Sequence, residues 1–540
     1  MLTAIRARDL HKSFTSQTKG LQTIKALDGL SLEIYQGEVL GILGPNGAGK
    51  TTFLNILSTL LTPDKGSVEI LGIPLLERNF PRILRLINLS SGYPNFPWSL
   101  TVEENLKFYG RLYGLGGKEL NAKTAQLIEM FKLGSCFRQR FDELSSGTKQ
   151  RLSLAKAFLN DPKIIFLDEP TVGLDPDAAV QTREIISATI KNRGVTVILT
   201  THNMPEAQLM CERIAFIKEG KILQAGAVSE IRKTFGGKDL EQIFIELARS
   251  KVVRANEAAI FSGKMENVAS GHSSPRPGNA LAQWLNRVGA FCYRNYLFAV
   301  RNVFTFMELV FWPLVTFISI GLLGDFLSVG TNAMAFILTG AIAGGILQVT
   351  QLDVAYSLLY EVWSKSIKHL FLTPMGMSEH LFGSWLVGMA RGSALFAVLG
   401  WAAVRFFGFP LPAFKVTAVF LLGIYACAVL LGLLVSFLVL IFGQKAEVTA
   451  WMFAYVAMLV SGIYYPIDIL PPFFVQVAKW VPVTYFLEYF RRSFGFEGEL
   501  AHPILKGFGL IAMYLAIGLG MLKFALRQAR KKGTLVRLSE

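Results

Sequence analysis

The sequence predicts an α/β domain followed by an all-α transmembrane domain of six helices. Two observations support this division of the 540 residues. Residues 1–235 alternate short, apolar, β-branched runs with stretches of helical pattern, which is typical of a sheet covered by helices. From about Val303 onward, long apolar runs dominate the sequence. The length is also right for two large domains.

Three runs in the first half have clear strand patterns. Glu38–Leu43, Ile164–Leu167 and Val195–Thr200 are short and mostly apolar, and each is followed by a polar or glycine-rich turn. Such runs are typical of parallel strands that are buried on both faces. Residues 236–250 have a helical pattern, and residues 251–280 are polar and rich in Gly, Ser and Pro, which predicts a linker.

The second half contains six apolar segments, each long enough to span a bilayer core of about 30 Å as a helix of about 20 residues. They lie near residues 303–324, 333–352, 380–404, 415–442, 446–464 and 506–526. The predicted organisation is an α/β domain at 1–245, a linker at 246–284 and a transmembrane domain at 285–540.

Basic residues flank these segments unevenly. Arg287, Arg294 and Arg301 precede the first segment and a basic group follows the sixth, whereas the loop 324–331 has no Lys or Arg. Because cytoplasmic loops are enriched in Lys and Arg, both termini are expected in the cytoplasm. The N-terminal stretch has no apolar signal-peptide core, which agrees. We therefore expect a multi-pass protein of the cytoplasmic (inner) membrane, in contact with the lipid bilayer.

The net charge of +15 has two interpretations, nucleic-acid binding and the basic cytoplasmic surface of a membrane protein. No compact basic and aromatic patch stands out, so the second is favoured and no nucleic-acid partner is expected. The four cysteines are scattered, with neither a CxxC motif nor metal-ligand spacing. They are expected to be reduced structural residues.

The segment Gly44–Thr51 (GPNGAGKT) fits the pattern GxxxxGK[ST] and directly follows a predicted strand. In that setting, backbone N–H groups close around phosphates, and the N-terminus of the next helix adds its dipole. The first half is therefore expected to be a P-loop NTPase domain. Lys50 is expected to contact the β- and γ-phosphates of ATP, and Thr51 to offer its hydroxyl to Mg²⁺. The predicted ATP-binding residues here are Gly44, Pro45, Asn46, Gly47, Ala48, Gly49, Lys50, Thr51 and Thr52.

The apolar run 164–167 delivers two carboxylates, Asp168 and Glu169, at its C-terminal end. Asp168 is placed to hold Mg²⁺, directly or through water. Glu169 is placed to polarise an attacking water. Two acidic residues that merely cap a strand have the same pattern, but the phosphate-binding loop earlier in the chain favours the catalytic interpretation.

Four further segments resemble motifs of the ABC ATPases. Leu144–Arg151 (LSSGTKQR) is similar to the family's signature LSGGQ, and Gly173–Pro176 (GLDP) is similar to its D-loop. Thr200–His202 (TTH) resembles the switch histidine at a strand end, and Phe14 resembles the A-loop aromatic residue that stacks on adenine. The resemblance covers about residues 3–245 and is specific.

The resemblance implies a shared site. Two such domains meet head to tail and trap ATP between the P-loop of one chain and Ser145–Gly147 of the other. The expected partner is therefore a second copy of this chain. The resemblance also implies that Glu169 and His202 carry hydrolysis, and that Ser145, Gly147 and Asp175 belong to the nucleotide site.

The signature of this chain reads LSSGT, whereas the family pattern is LSGGQ. Ser145 and Gly147 are kept, so contacts with the γ-phosphate remain feasible. Ser146 and Thr148 are expected to alter how tightly the two domains close on ATP.

A larger departure lies in the Q-loop. Counting back from Leu100–Val102, the family's glutamine, which touches Mg²⁺ and reports to the membrane domain, should fall near Gly92, and no Gln is nearby. Three alternatives stay open: Asn95 substitutes, water substitutes, or the coupling is looser.

The second half resembles the permease class shared by bacterial polysaccharide and drug exporters and the eukaryotic G-subfamily transporters. Glu361–Gly376 resembles the cytoplasmic segment between the second and third spans that docks on the ATPase. Ser461–Arg491 resembles the external re-entrant region before the last span. Together the halves predict a homodimeric half-transporter that exports a lipid-linked, glycan or amphipathic compound.

Two other functions share parts of this sequence pattern. A non-transporting ABC machine that regulates or drives a membrane partner is left open by the missing glutamine. A P-loop kinase or GTPase fused to membrane helices is disfavoured, because those classes have no use for LSSGTKQR.

One charge lies inside the predicted membrane core. Arg391, midway along the third segment, costs about 2.5–3.5 kcal/mol on insertion scales, so it should have a partner or face water. Glu308 and Asp353 are the candidate partners. A structural ion pair is favoured over a substrate or proton site.

Overall fold

The computed structural model describes residues 2–16, 22–249, 280–409, 411–496, 498 and 500–539. These residues form two compact units. The first comprises Met1–Asn286, Ser364–Met375 and Ala529–Glu540, and the second comprises Arg287–Trp363 and Gly376–Gln528. Two short segments of the predicted transmembrane range thus group with the first unit. Most of the predicted linker 246–284 lies outside the described residues, and the predicted domain limits stay predictions.

The first unit contains two sheets. Their strands are β1 (Thr3–Ser16), β2 (Gln22–Tyr35), β3 (Val39–Leu43), β4 (Lys65–Ile70), β5 (Ile73–Pro74), β6 (Ile87–Ser91), β7 (Ile164–Asp168), β8 (Thr196–Thr201), β9 (Arg213–Lys218) and β10 (Lys221–Ala227). A four-stranded sheet has the order β2-β1-β4-β5, and a six-stranded sheet has the order β10-β9-β3-β8-β7-β6.

Helices pack around these sheets. They are α1 (Lys50–Leu57), α2 (Phe80–Ile83), α3 (Val102–Leu112), α4 (Gly117–Met130), α5 (Ser146–Ala157), α6 (Pro176–Arg193), α7 (Met204–Met210), α8 (Val228–Thr234) and α9 (Leu240–Arg249). Local chemistry fixes several of their starts. Thr101 and Glu104 form a reciprocal capping box at the start of α3. The Asp175 side chain accepts the Ala178 N–H at the start of α6, with Pro176 as its first residue.

The predicted strands agree with the observed ones to within one residue. The strands β3, β6 and β8 are buried along their whole length, which fits the mostly apolar and β-branched sequences of β3 and β8. β3, β8, β7 and β6 run parallel, so their carboxyl ends meet at one edge of the sheet. The predicted helix at 236–250 is α9, which begins four residues later, at Leu240.

The second unit is helical. Its helices are α11 (Val303–Phe326), α12 (Thr331–Trp363), α14 (Met377–Phe407), α15 (Phe414–Phe442), α16 (Thr449–Val460), α17 (Pro472–Ala478), α18 (Pro482–Arg491) and most of α19 (Pro503–Lys532). Helix α10 (Ala280–Arg301) leads into it, and the short helices α13 (Ile367–Phe371) and α20 (Thr534–Arg537) belong to the first unit.

Each of the six predicted spans overlaps a helix, but the helices are not equivalent. In the described part of the chain, four are long and apolar enough to cross a membrane: Thr331–Trp363, Met377–Phe407, Phe414–Ala446 and Pro503–Lys532. For the helices of the other two predicted spans, the described residues show the shorter apolar stretches Phe311–Phe326 and Thr449–Val460. A six-span count therefore stays a prediction.

Buried ion pairs explain why one span was predicted too short. The apolar pattern of the second span ends near residue 352, yet α12 continues to Trp363. Its last turns carry Asp353, which pairs with Arg391, and Glu361, which pairs with the fully buried Arg294. Because opposite charges neutralise each other there, a polar sequence stays helical and buried. The other candidate partner, Glu308, has a side chain outside the described part.

Candidate nucleotide site

The loop between β3 and α1 has the backbone that phosphate binding requires. Gly47 and Gly49 have φ values of +79° and +108°, which favour glycine. A Cβ atom on Gly44 would lie 2.2 Å from the Ile217 carbonyl oxygen, and one on Gly49 would lie 2.4 Å from that of Ala26. The loop therefore depends on these glycines, and it leads into the N-terminus of α1 at Lys50.

Lys50 lies inside this loop with only 5% of its surface exposed. Its Nζ donates to the carbonyl oxygens of Gly44 (2.8 Å) and Pro45 (3.1 Å), and lies 3.9 Å from Glu169 Oε1. Burial lowers the pKa of Lys50, while the charges of Glu169 and Asp168 raise it. The ammonium group is thus held beside the predicted catalytic carboxylate.

Asp168 ends β7 beside the predicted phosphate loop. The Thr200 hydroxyl donates to Asp168 Oδ1 over 2.6 Å. Burial raises the pKa of Asp168, whereas the Thr200 hydrogen bond and then the charge of Lys368 lower it. The side chain is therefore fixed in orientation by its neighbouring strand.

The predicted catalytic residues Glu169 and His202 lie next to each other in the site. Glu169 has φ +49°, a left-handed conformation that is unfavourable for a residue with a side chain, and its N–H donates to the Thr200 carbonyl over 2.9 Å. Its Oε2 lies 3.1 Å from His202 Nδ1, and the histidine ring is half exposed. The carboxylate thus lies where two neighbouring strands end, and its side chain is 23% exposed.

The donor atoms fit a magnesium ion. Thr51 offers an exposed hydroxyl and Asp168 a carboxylate, and Mg²⁺ prefers oxygen ligands of this kind. Across the described residues there is no cluster of three or more His, Cys, Asp or Glu side chains that holds a metal alone.

The predicted signature and D-loop residues lie at helix starts. Ser145 caps α5: its hydroxyl accepts the Thr148 N–H over 3.3 Å and lies 3.0 Å from the Thr148 hydroxyl. A Cβ atom on Gly147 would lie 3.2 Å from Ala178 Cβ, so this glycine allows α5 to approach α6. Within the described part of the chain, the hydrogen bonds of Ser145 and Asp175 stay within their own helices.

Phe14 lies half-buried on β1. The Lys12 ammonium lies 5.7 Å from its ring centre, and a Cβ atom on Gly533 would lie 3.1 Å from its Cε1. Its predicted stacking on adenine stays a prediction.

The Q-loop position is closed to a side chain. Gly92 follows β6, and a Cβ atom there would lie 2.4 Å from the Glu169 carbonyl oxygen and 2.7 Å from Val172 Cγ1. The backbone of this loop packs directly against the end of β7, so a glutamine side chain does not fit at this position. Asn95, the predicted substitute, makes no side-chain hydrogen bond within the described residues.

Sequence reasoning missed two residues at this edge, Ser91 and Lys368. The Lys368 ammonium donates to the Ser91 hydroxyl over 2.6 Å. Lys368 belongs to the segment Ser364–Met375 of the first unit, which we call the docking segment. The resemblance of Glu361–Gly376 to a docking element indicated the segment, but no motif indicated which of its residues reaches the site.

Two family models and several known proteins match this chain. Residues 27–172 match the family model described as ABC transporter, and residues 286–494 match the one described as ABC-2 type transporter. The chain is 38% identical to the Nod factor export ATP-binding protein I of Paraburkholderia xenovorans, an alignment covering 45% of this chain and 76% of that protein. It is 36% identical to the daunorubicin resistance ATP-binding protein DrrA3 of Streptomyces coeruleorubidus, covering 41% and 70%. A solved ATP-binding subunit of an ABC transporter aligns with 46% of this chain and 100% of its own, at 27% identity and a TM-score of 0.41.

The two family matches fall on the two parts of the chain that the motifs and the apolar segments distinguish. The relatives carry the same ATP-binding half. The chain belongs to the ABC transporters: it is a half-transporter of the ABC-2 exporter type, an ATP-hydrolysing translocase with its ATPase domain fused to its membrane domain.

Proposed function

We propose that two copies of this chain form a homodimer in the cytoplasmic (inner) membrane, with both termini in the cytoplasm and six spans per copy. The dimer exports a lipid-linked, glycan or amphipathic compound from the cytoplasm or the inner leaflet. The observation that carries this proposal is the convergence of Lys50, Asp168, Glu169 and His202 in a chain that also contains an ABC-2 type membrane domain.

Each residue of the site has a proposed role in hydrolysis. Lys50 and the backbone of Gly44–Thr52 bind the phosphates of ATP, and Thr51 and Asp168 hold the magnesium ion, which supplies charge stabilisation when bound. Glu169 polarises the attacking water as a general base. His202, which contacts the Glu169 carboxylate, orients it and faces the γ-phosphate.

The homodimer completes the nucleotide site. Ser145 and Gly147 lie at the N-terminus of α5, and Asp175 lies at that of α6. Helix N-termini attract phosphate oxygens through free N–H groups and the helix dipole. In the proposed dimer, Ser145 and Gly147 of each copy meet the γ-phosphate bound to the other copy.

A cavity in the second unit supports the proposal that part of the substrate is apolar. It has a volume of about 290 Å³. Apolar side chains of α15 and α19 form most of its lining, which also includes Tyr514 of α19 and Trp480, between α17 and α18. The Tyr514 hydroxyl donates to the Trp480 carbonyl oxygen over 2.9 Å, and the aromatic ring of Tyr514 lines the cavity. The names of two relatives, for Nod factor export and daunorubicin resistance, support the same broad class.

A second candidate function is a non-transporting ABC machine that regulates or drives a membrane partner. The specific observation in its favour is Gly92, because the residue that usually connects hydrolysis to the membrane domain is missing.

Transport into inside-out membrane vesicles separates the two functions. The probes are daunorubicin and a fluorescent short-chain lipid, and the comparison is wild type against Glu169→Gln. Export predicts ATP-dependent accumulation of at least one probe in wild-type vesicles alone, and stimulation of phosphate release by that probe. Normal phosphate release with neither accumulation nor stimulation, but with activation by a co-purified protein, would favour the machine.

A further inference from the structure

Lys368 of the docking segment reaches the edge of the sheet where the nucleotide site lies. Its Nζ donates to Ser91 Oγ over 2.6 Å. Ser91 is the last residue of β6, and its partner in the parallel register is Asp168, the last residue of β7. A side chain from between the second and third predicted spans thus contacts the strand beside the proposed magnesium ligand.

The docking segment is firmly packed at this place. His369 stacks on Phe96 with ring centres 4.8 Å apart and planes 6° from parallel. The Tyr113 hydroxyl donates to the Leu372 carbonyl oxygen over 3.2 Å. Burial lowers the pKa of His369 well below its usual range, so the ring is neutral and packs as an aromatic group. Lys368 therefore projects from an anchored element.

The position of the Q-loop glutamine supplies no side chain, because it is Gly92. A Cβ atom at Gly92 would collide with the Glu169 carbonyl oxygen, so a glutamine does not fit this backbone. Lys368 of the docking segment does reach this edge of the sheet.

We propose that Lys368 is a positioning residue that couples the nucleotide site to the membrane domain in place of a Q-loop glutamine. Its hydrogen bond with Ser91 fixes the end of β6 beside Asp168, so that nucleotide binding acts on a side chain of the docking segment. By reciprocity, the position of the docking segment acts on nucleotide binding. This inference rests on the proposed ATP-driven function.

Steady-state ATP hydrolysis by the full-length protein in lipid nanodiscs tests the role. Lys368→Met is expected to lower kcat about tenfold and to change the KM for ATP less than about threefold, because the P-loop still binds the phosphates. Lys368→Arg keeps the charge and donor, and should recover most of the rate. Lys365→Met, in the exposed neighbour on the same segment, should match wild type.

A reporter on the docking segment gives a second readout that does not depend on turnover. A bimane label is attached to a cysteine introduced by Lys365→Cys. The same protein carries Cys292→Ala, which removes a partly exposed cysteine, and Glu169→Gln. Addition of ATP and Mg²⁺ should change its fluorescence when Lys368 is present and should leave it unchanged in Lys368→Met. Ser91→Ala removes only the hydrogen-bond acceptor of Lys368 and should weaken the fluorescence response. If Lys368→Met does not fold, Ser91→Ala still tests the inference.

Two results would overturn the inference: a Lys368→Met protein with kcat within twofold of wild type, or an undiminished bimane response in Lys368→Met or Ser91→Ala. If Glu169→Gln is inactive while Lys368→Met is normal, only this inference is wrong. If Glu169→Gln hydrolyses ATP as fast as wild type, the proposed function fails first.

Discussion

Glu169 Oε2 lies 3.1 Å from His202 Nδ1, and this contact joins the ends of two adjacent parallel strands. The other carboxylate oxygen lies 3.9 Å from Lys50 Nζ. The carboxylate is thus in contact with a basic side chain on each side. Its left-handed backbone supports a functional role, because strain of this kind persists at sites that need a fixed side chain.

The contact predicts a defect in turnover for His202→Ala. Loss of the imidazole removes the group that orients Glu169, so kcat should fall about 100-fold, while the KM for ATP changes little. Phosphate release by the purified protein measures both constants. His502→Ala, at an exposed position in the second unit, is the matched control. An equal loss in the two variants would refute the assignment.

The head-to-tail dimer predicts complementation between two inactive chains. Lys50→Ala disables the P-loop, and Ser145→Arg blocks the signature that serves the partner. A mixed dimer places both defects in one site and leaves the other intact, so co-expression should restore about a quarter of the wild-type rate. Each variant alone stays inactive. Failure of the mixture, with mixed dimers verified by two affinity tags, would contradict the shared site.

The Arg391–Asp353 ion pair predicts coupled effects on stability. Removal of one partner leaves a buried charge unpaired, which costs about 3–5 kcal/mol in proteins. Arg391→Gln and Asp353→Asn should therefore each lower the thermal midpoint, and the double variant should lower it less than the sum. Midpoints are measured in nanodiscs. Additive losses would show that the two residues do not depend on each other.

Lys156 predicts a pH dependence of stability. Burial lowers the pKa of Lys156 to about 7, from an ordinary value of 10.5. Between these values the unfolded chain binds a proton that the folded chain does not, so stability rises with pH across this window and falls as pH drops toward 7. The thermal unfolding midpoint is measured at pH 7.5 and at pH 9. The increase between these two values should be larger in wild type than in Lys156→Met.

The control for this comparison is Lys118→Met, an exposed lysine on α4 that should keep the wild-type pH profile. An identical profile in Lys156→Met would contradict the burial argument.

Part of the first unit could be predicted because β3, β7 and β8 are buried on both faces. Such strands need nearly continuous apolar sequence, so β3, β7 and β8 stand out to within one residue. The convergence of Lys50, Glu169 and His202 also follows from the sequence, because carboxyl ends of neighbouring parallel strands meet at one edge.

Other features depend on contacts that no local pattern contains. Lys368 and Ser91 are 277 residues apart, so only the fold brings them together. Helix α12 runs past its apolar stretch because Asp353 and Glu361 find buried partners from distant helices. The closed backbone at Gly92, too, is visible only from its approach to Glu169.

The most direct measurement of the central claim is phosphate release by the full-length protein in lipid nanodiscs, with wild type and Glu169→Gln compared at saturating ATP and Mg²⁺. The account predicts that Glu169→Gln binds ATP normally but turns it over at least about 100-fold more slowly. Hydrolysis by Glu169→Gln at the wild-type rate would contradict it.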